Sequence, residues 1–158
     1  MAARDFGEFL ARRFPALRFR SGNAEGADQA FSDGVARVDA GRLQIVAPYA
    51  SHRKKSRNPA VAFSSPDDLS PEQVAEVIKK TAAASPKVER LLSRWKDGGA
   101  LAAKATYLLR DSMKVLGHSE EFPKPVCGIF FIDPSDPMAG GTGHTIRVCQ
   151  QESVPVVF

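Results

Sequence analysis

The sequence predicts an α/β fold, a three-layer sandwich in which a mostly parallel sheet carries helices on both faces. Residues 126–132 form an apolar run without alternation, which is typical of a strand buried on both faces of a parallel sheet. Glycine-rich turns follow two of the predicted strands, as they do where open α/β sheets bind ligands. A chain of 158 residues can bury a core of its own, so residues 1–158 are expected to form a single domain.

The amino-terminal part of the chain is expected to run helix, strand, helix, strand. Apolar side chains at helical spacing predict the first helix over residues 5–14. Residues 17–20 predict a short strand, and a helical pattern begins after the turn at residues 21–28. Residues 43–47 predict the next strand, and residues 58–70, with their serine, proline and aspartate residues, predict a linking loop.

The middle of the chain is predicted to be helical. Ser70 and Gln73 have the spacing of a capping box and predict a helix start, and the Ser-Pro pair at residues 85–86 predicts a second one. A third helix is expected over residues 101–116, where Gly117 is a suitable end. These helices are expected to cover the sheet, because strands and helices of one domain need each other to bury their apolar faces.

The most informative segment is the glycine-rich turn at residues 140–145, GGTGHT, between the apolar run and a helical pattern at residues 146–151. Glycines remove Cβ atoms, so that a ligand can approach the backbone closely. The free N–H groups of a first helical turn and the helix dipole favour an anion there, and Thr142 and Thr145 add hydroxyl donors. The turn therefore predicts a phosphate-binding loop. The alternative is an ordinary strand-to-helix turn.

A second glycine-rich turn, SGNAEGAD at residues 21–28, repeats the order strand, turn, helix. Alone, its Gly-x-x-x-Gly spacing is a weak signal of phosphate binding. The two turns together predict two loops at the carboxyl ends of parallel strands, where open α/β sheets bind their ligands. The last strand of the sheet is expected at residues 154–158.

These motifs resemble those of the SLOG superfamily of Rossmann-like proteins, which includes the DprA/Smf recombination mediators, the LOG-type phosphoribohydrolases and the YpsA-like proteins. Residues 21–28 are similar to the SGGAxGAD segment of that family. Residues 110–113, RDSM, resemble the RNxxM element of its YpsA-like and phage-borne branches. Residues 139–146 resemble the GGTxxxI phosphate loop, and residues 154–157 resemble the IPV strand. The motifs occur in the family's order over residues 17–158.

The resemblance implies a Rossmann-like protein that binds a nucleotide or a nucleotide-derived ligand, as a sensor, a carrier or a sequestering factor. On this interpretation Arg110 clamps phosphate through its planar guanidinium, and magnesium could accompany the phosphates. From the residues alone, Arg110 and Asp111 are expected to be a surface pair on a helix. The implied ligand-binding residues are Ser21, Gly22, Asn23, Gly26, Asp28, Arg110, Asp111, Gly140, Gly141, Thr142, Gly143 and Thr145.

The chain departs from the family pattern in two places. Members of the family open with a strand and its loop, whereas this chain opens with the helix that normally follows them, so that first strand is expected to be missing. LOG-type enzymes carry Pro-Gly-Gly-x-Gly-Thr-x-x-Glu with a catalytic glutamate, and here no acidic residue follows the glycines before Glu152. The sequence therefore leaves open whether the protein is an enzyme.

Two alternatives to small-ligand binding follow from titratable and basic residues. Glu25 and His144, one in each glycine-rich turn, could act as an acid/base pair in a hydrolase that cleaves an N-glycosidic bond. A basic run after the strand at residues 43–47 could contact nucleic-acid phosphates, as in DprA-like proteins, or a small anion. It could equally be a solvated surface loop. The cations of this basic run are Arg53, Lys54, Lys55 and Arg57.

Composition favours a cytoplasmic protein. Cys127 and Cys149 are too few for a disulfide scaffold and are expected to be small buried residues, which suits a reducing compartment. The three histidines lack metal-ligand spacing, so no metal site is predicted. No run reaches transmembrane length, and no membrane partner is expected. A sheet without its first strand exposes an edge that a second copy could cover, so a homodimer is expected.

Overall fold

The computed structural model describes residues 2–158 and divides into two compact units, Met1–Ser65 and Pro66–Phe158. Helices and parallel strands occur in both units, so the predicted α/β class is confirmed. The strands of the described residues form a three-stranded sheet in the first unit and a two-stranded sheet in the second. The three-layer sandwich and the single domain stay predictions.

The described part of the first unit contains two α-helices and three parallel strands. In chain order these elements are α1 (Ala3–Arg13), β1 (Phe19–Ser21), α2 (Ala27–Asp39), β2 (Leu43–Val46) and β3 (Ala62–Ser64). β2 lies between β1 and β3 and all its residues are buried, as expected for the central strand of a parallel sheet. The predicted loop at residues 58–70 is wrong in part, because Phe63 pairs with Ile45 and extends the sheet.

Helices α1 and α2 pack closely because glycines lie at their contact. A Cβ atom built on Gly34 would overlap the backbone of Arg4, and one built on Gly7 would overlap the carbonyl oxygen of Phe31. The constraint at both positions is space rather than backbone conformation. The core of this unit consists of Ala11, Val35, Leu43 and Ile45, with Phe19, Phe31, Val38, Val61 and Phe63 packed against it.

The second unit contains four α-helices and a small parallel sheet. In chain order its elements are α3 (Pro71–Ala84), α4 (Glu89–Leu92), α5 (Gly99–Leu116), β4 (Gly128–Ile129), α6 (Gly140–Gln151) and β5 (Val156–Val157). The longest helix, α5, contacts α3, α4 and α6. The predicted capping box is confirmed, because Ser70 Oγ accepts from the backbone N–H of Gln73 and Gln73 Oε1 accepts from that of Ser70. Gly117 ends α5 with a φ of 69°, a conformation that favours glycine.

The strand predicted over residues 126–132 is wrong for most of its length. Only β4 pairs with β5, and the side chains of Val126 and Phe131 are 78% and 87% exposed. Phe130 packs against the core of the unit, whereas the neighbouring Ile129 is exposed. Burial therefore alternates, because only one face of β4 lies against the core.

The two cysteines differ in burial. Cys149 lies in the core of the second unit, as predicted, but Cys127 is exposed, so the expectation of burial is wrong for Cys127. The position of a Cβ atom on Gly128 lies 3.3 Å from the sulfur of Cys149, so Gly128 faces the core. Because successive side chains of an extended chain point to opposite sides, Cys127 is directed outward.

We expect Gly34→Ala to destabilise the first unit by about 2 kcal/mol, because the added methyl group overlaps the backbone of Arg4 and forces α1 away from α2. Gly41→Ala is the matched control, since its Cβ has a flexible nearest neighbour, Asp39 Oδ1 at 3.2 Å. Urea unfolding followed by far-ultraviolet circular dichroism measures both changes. Equal losses for the two substitutions would contradict the steric explanation.

Candidate functional site

The glycine-rich turn at the end of the chain forms the first turn of α6 rather than a loop before it. α6 begins at Gly140, and the N-cap residue Ala139 provides no side-chain hydrogen bond. Gly140, Gly141 and Thr142 are exposed. An uncapped helix start leaves backbone N–H groups available to an anion, and the helix dipole favours negative charge there. The prediction that the helix begins only at residues 146–151 is wrong.

The remaining residues of the turn are buried. Gly143 lies against Met138, where a Cβ atom would overlap the Met138 backbone. Thr145 Oγ1 donates to the carbonyl oxygen of Gly141 at 2.8 Å, which occupies its hydroxyl hydrogen. His144 is buried as well. Within this turn, only the first three residues of the helix are therefore exposed to a ligand.

A group of charged side chains on α5 lies beside this helix start, and we call Arg110, Asp111 and Lys114 the α5 charge cluster. Asp111 Oδ1 is 3.1 Å from Arg110 Nε and 3.0 Å from Lys114 Nζ. A Cβ atom built on Gly141 would lie 2.8 Å from Asp111 Oδ2, so the helix start touches the cluster. Arg110 and Asp111 are only 7% and 4% exposed, so their interpretation as a surface pair is wrong.

The α5 charge cluster carries an excess of positive charge, because one carboxylate faces two cations. It also has an aromatic neighbour. The guanidinium carbon of Arg110 lies 5.1 Å from the ring centroid of Tyr107, a cation–π distance, and Tyr107 is 40% exposed. Positive charge and an accessible aromatic ring therefore belong to the same side-chain group as Asp111, which touches the start of α6.

His144 is the centre of a buried hydrogen-bond network that joins three helices. Its Nδ1 atom lies 2.8 Å from Ser85 Oγ at the end of α3, and its Nε2 atom lies 3.0 Å from Ser112 Oγ on α5. Ser112 Oγ is 2.7 Å from Thr81 Oγ1, which is 2.6 Å from the carbonyl oxygen of Val77. Both ring nitrogens have partners, which satisfies the imidazole in an apolar interior.

Burial lowers the pKa of His144 from 6.5 to about 4, because an apolar environment disfavours the charged ring. The carboxylate of Asp111 opposes this effect and raises the pKa, whereas the positive charges of Arg147 and Lys114 lower it further. A hydrogen bond to the carbonyl oxygen of Leu108 raises it slightly. The ring is therefore neutral at pH 7.

In the first unit, the turn at residues 21–28 has the left-handed backbone that its composition suggests. Gly26 has a φ of 97°, and Asn23 has a φ of 49°. Ser21 Oγ accepts a hydrogen bond from the backbone N–H of Asn23 at 3.0 Å, which fixes the turn. α2 begins directly afterwards without a side-chain cap. This turn is therefore a second uncapped helix start, within its own unit.

Arg53 of the basic run contacts this turn. It donates to the carbonyl oxygen of Asn23 at 3.3 Å and to Glu25 Oε1 at 3.0 Å. Gly22 is buried, and Asp28 places a negative charge in the first turn of α2. The two carboxylates, Glu25 and Asp28, reduce the positive charge that this turn offers to an anion.

The remaining cations of the basic run differ in their contacts. Arg57 donates to the carbonyl oxygen of Ala50 at 2.8 Å, and its guanidinium lies 4.5 Å from the ring centroid of Phe63. Lys54 and Lys55 are exposed. Arg57 thus stabilises the loop itself. Contact with nucleic acid stays a prediction. Lys54 and Lys55 are exposed, as such a contact requires.

The two residues predicted as an acid/base pair have very different surroundings. The side chain of Glu25 is 86% exposed and forms an ion pair with Arg53 in the first unit. His144 is buried among the hydroxyl groups of the second unit. Cleavage of an N-glycosidic bond by this pair stays a prediction.

Sequence reasoning missed several residues around the start of α6. Lys114 lies one helical turn from the predicted phosphate clamp, so helical spacing could have identified it. The sequence pattern around Ser85 indicated only the start of a helix. Nothing in the local sequence indicates that Ser112 meets both His144 and Thr81, because these residues lie on three separate helices.

Within residues 2–158, no group of three or more histidine, cysteine, aspartate or glutamate side chains is placed to hold a metal ion. No helix in the described part of the chain is both long and apolar enough to cross a membrane. Comparison with known proteins finds no matching family model and no significantly similar curated protein or solved structure. The resemblance to the SLOG superfamily stays a prediction, and the functional argument depends on the geometry of the site.

We expect the second unit to lose stability on acidification because of His144. The pKa of the ring is 6.5 in an ordinary environment and about 4 in the fold, so between these values the unfolded chain binds a proton that the folded unit does not. The free energy of unfolding of the second unit therefore keeps its full value above pH 6.5. It falls by on the order of 3 kcal/mol as the pH decreases to 4. Urea unfolding, followed by the fluorescence of Trp95, the single tryptophan, measures this loss.

His144→Asn is the control for this titration, because an amide does not ionise. It corrects for carboxylates such as Glu152, whose pKa is lowered by a hydrogen bond from Lys80. The difference in unfolding free energy between the natural chain and the variant should shrink between pH 7 and pH 4.5. A constant difference would contradict the lowered pKa.

Proposed function

We propose that this protein binds a nucleotide or a nucleotide-derived ligand, with a phosphate of the ligand at the amino terminus of α6. The observation that supports this proposal is the contact of Gly141, in the exposed and uncapped first turn of α6, with Asp111 of the α5 charge cluster. A helix start of this kind favours an anion through its N–H groups and its dipole. The biological role would be that of a sensor, a carrier or a sequestering factor.

Each part of the site has its own role toward a phosphate group. The N–H groups of residues 140–142 donate to phosphate oxygens. Arg110 offers a planar fork that can engage two oxygens, and Lys114 offers a compact positive charge. Asp111 holds both cations through one carboxylate oxygen, at 3.1 Å and 3.0 Å, which keeps them oriented before the ligand arrives. Preorganised donors bind more tightly because less side-chain freedom is lost on binding.

Tyr107 supports a nucleotide rather than a simple phosphate as the ligand. Its ring is 40% exposed and lies against the guanidinium of Arg110, on the same helix as the charge cluster. An exposed aromatic ring can stack on a nucleobase, and stacking of one base contributes roughly 1–3 kcal/mol. The start of α6 would then bind the phosphate end of a ligand whose base contacts Tyr107.

We expect Lys114→Met to weaken nucleotide binding about tenfold, because the substitution removes one charge-assisted contact to the phosphate. Lys104→Met is the matched control, since Lys104 lies on the same helix, is exposed and carries the same charge. Isothermal titration calorimetry with AMP, ATP, NAD and ADP-ribose gives the affinities, and thermal unfolding at rising ligand concentration gives an independent measure.

Other outcomes of this titration would count against the proposal. The proposed site at α6 would be contradicted if no nucleotide stabilised the protein against unfolding. Equal losses of affinity for Lys114→Met and Lys104→Met would contradict it as well. A nucleotide recovered as free base and sugar phosphate would favour the hydrolase alternative. Binding of single-stranded DNA alone, with an affinity that falls steeply as salt increases, would favour nucleic-acid binding through Lys54 and Lys55.

A further inference from the structure

Ser85, His144 and Arg147 form a polar centre that phosphate binding does not use. Ser85 is the residue at the carboxyl end of α3, and it is only partly buried. Its Oγ atom lies 2.8 Å from His144 Nδ1 and accepts a hydrogen bond from Arg147 Nη2 at 3.2 Å. A serine hydroxyl in contact with both an imidazole and a guanidinium has the partners that a nucleophile needs.

The carbonyl group of Val77 fixes the direction of the hydrogen bonds in the network around His144. The Val77 carbonyl can only accept, so the single hydroxyl hydrogen of Thr81 points to it at 2.6 Å. The Ser112 hydroxyl then donates to Thr81 Oγ1, and its oxygen accepts from His144. The ring nitrogen that faces Ser112 therefore carries the hydrogen.

With the hydrogen on Nε2, the other ring nitrogen, Nδ1, has a free electron pair. The hydroxyl of Ser85 donates to that electron pair, so the bond runs in the direction of proton transfer from serine to histidine.

Arg147 is held rigidly beside the serine oxygen. Its Nε atom donates to the carbonyl oxygen of Ala84 at 3.0 Å, and its Nη1 atom donates to that of Met138 at 3.3 Å. The third contact of the guanidinium is to Ser85 Oγ. A fixed positive charge at this position stabilises negative charge that develops on or next to the serine oxygen, without reorganisation during the reaction.

We propose that Ser85 is a nucleophile that accepts an acyl group from an activated carboxylic ester, with His144 as its general base and Arg147 as the stabilising cation. Ser85 Oγ forms a bond to the carbonyl carbon while its proton moves to His144 Nδ1. The bond between that carbon and the ester oxygen breaks, and the leaving alcohol takes the proton from His144. The products are acyl-Ser85 and one alcohol, and His144 returns to its neutral state.

The surroundings of His144 shape the pH dependence of this reaction. The charged groups that act on the ring are Asp111 and Lys114 from α5 and Arg147 from its own helix. Burial dominates, so His144 stays in its neutral, proton-accepting form at every pH above about 4. A ring with so low a pKa is a weak base, and the positive charge of Arg147 compensates by lowering the energy of the negatively charged oxygen.

The test uses the whole chain and p-nitrophenyl acetate as the acyl donor. Release of p-nitrophenol is followed from pH 5 to pH 8, and the acetylated residue is identified by peptide mapping. We expect one acetyl group on Ser85, at a rate that hardly changes over this range. A serine without a base reacts through its alkoxide, whose concentration falls tenfold for each unit by which the pH decreases. The acetylation rate of such a serine would fall in the same way from pH 8 to pH 5.

Variants separate catalysis from structure. Ser85→Ala should abolish acetylation at this position, and His144→Asn should slow acetylation of Ser85 by about 100-fold. Ser93→Ala is the control, because Ser93 is exposed and donates only to the nearby carbonyl oxygen of Arg90. Trp95 fluorescence reports whether each variant is folded. Because mapping and the pH profile use the natural chain, they decide the question even if His144→Asn does not fold.

Three results would overturn the proposal. These are acetylation confined to lysines or to other serines, a rate at Ser85 that rises tenfold per pH unit, and a folded His144→Asn variant that reacts as fast as the natural chain. Any of them would mean that the network only joins the helices. The test does not depend on nucleotide binding, so the two proposals can fail separately.

Discussion

The hydrogen bonds of the buried imidazole of His144 are the constraint on which the second unit depends. A polar ring in an apolar interior needs a partner for each nitrogen, and here Ser85 and Ser112 provide them from two other helices. A slide of any of these helices by one turn would leave a ring nitrogen without a partner, so the bonds fix the register of α3, α5 and α6. They also fix where the first turn of α6 lies along α5, which places that turn beside the α5 charge cluster.

The glycines at the start of α6 serve packing as much as ligand access. Gly143 fits against the backbone of Met138, and Gly141 fits against the carboxylate of Asp111. A larger side chain at Gly141 would separate the helix start from the cations that Asp111 holds. The same absence of side chains leaves the first N–H groups exposed. One sequence feature therefore answers two physical needs, and a comparable close approach by Gly7 and Gly34 holds α1 against α2 in the first unit.

Local patterns in the sequence were reliable where a single element determines the structure. The capping box at Ser70 and the end of α5 at Gly117 formed as predicted, because neighbouring residues satisfy the hydrogen bonds or the backbone conformation at those points. The apolar run at residues 126–132 shows the limit of such patterns. Hydrophobicity predicts that a segment will be buried, but only one face of this segment lies against the core, and Val126 and Phe131 remain exposed.

The sequence by itself determined the α/β class, the start of α3 at its capping box, the end of α5 at Gly117 and the positions of the two glycine-rich turns. It did not determine which side chains meet those turns. The contact of Asp111 with Gly141, and of His144 with Ser85 and Ser112, joins helices that are far apart along the chain. Such contacts depend on how helices pack, and packing is set by the combined shape and hydrogen-bonding needs of all their buried side chains rather than by any local pattern. The tertiary structure alone therefore decided that the predicted surface pair is a buried charge cluster and that the predicted loop histidine is a neutral, buried imidazole.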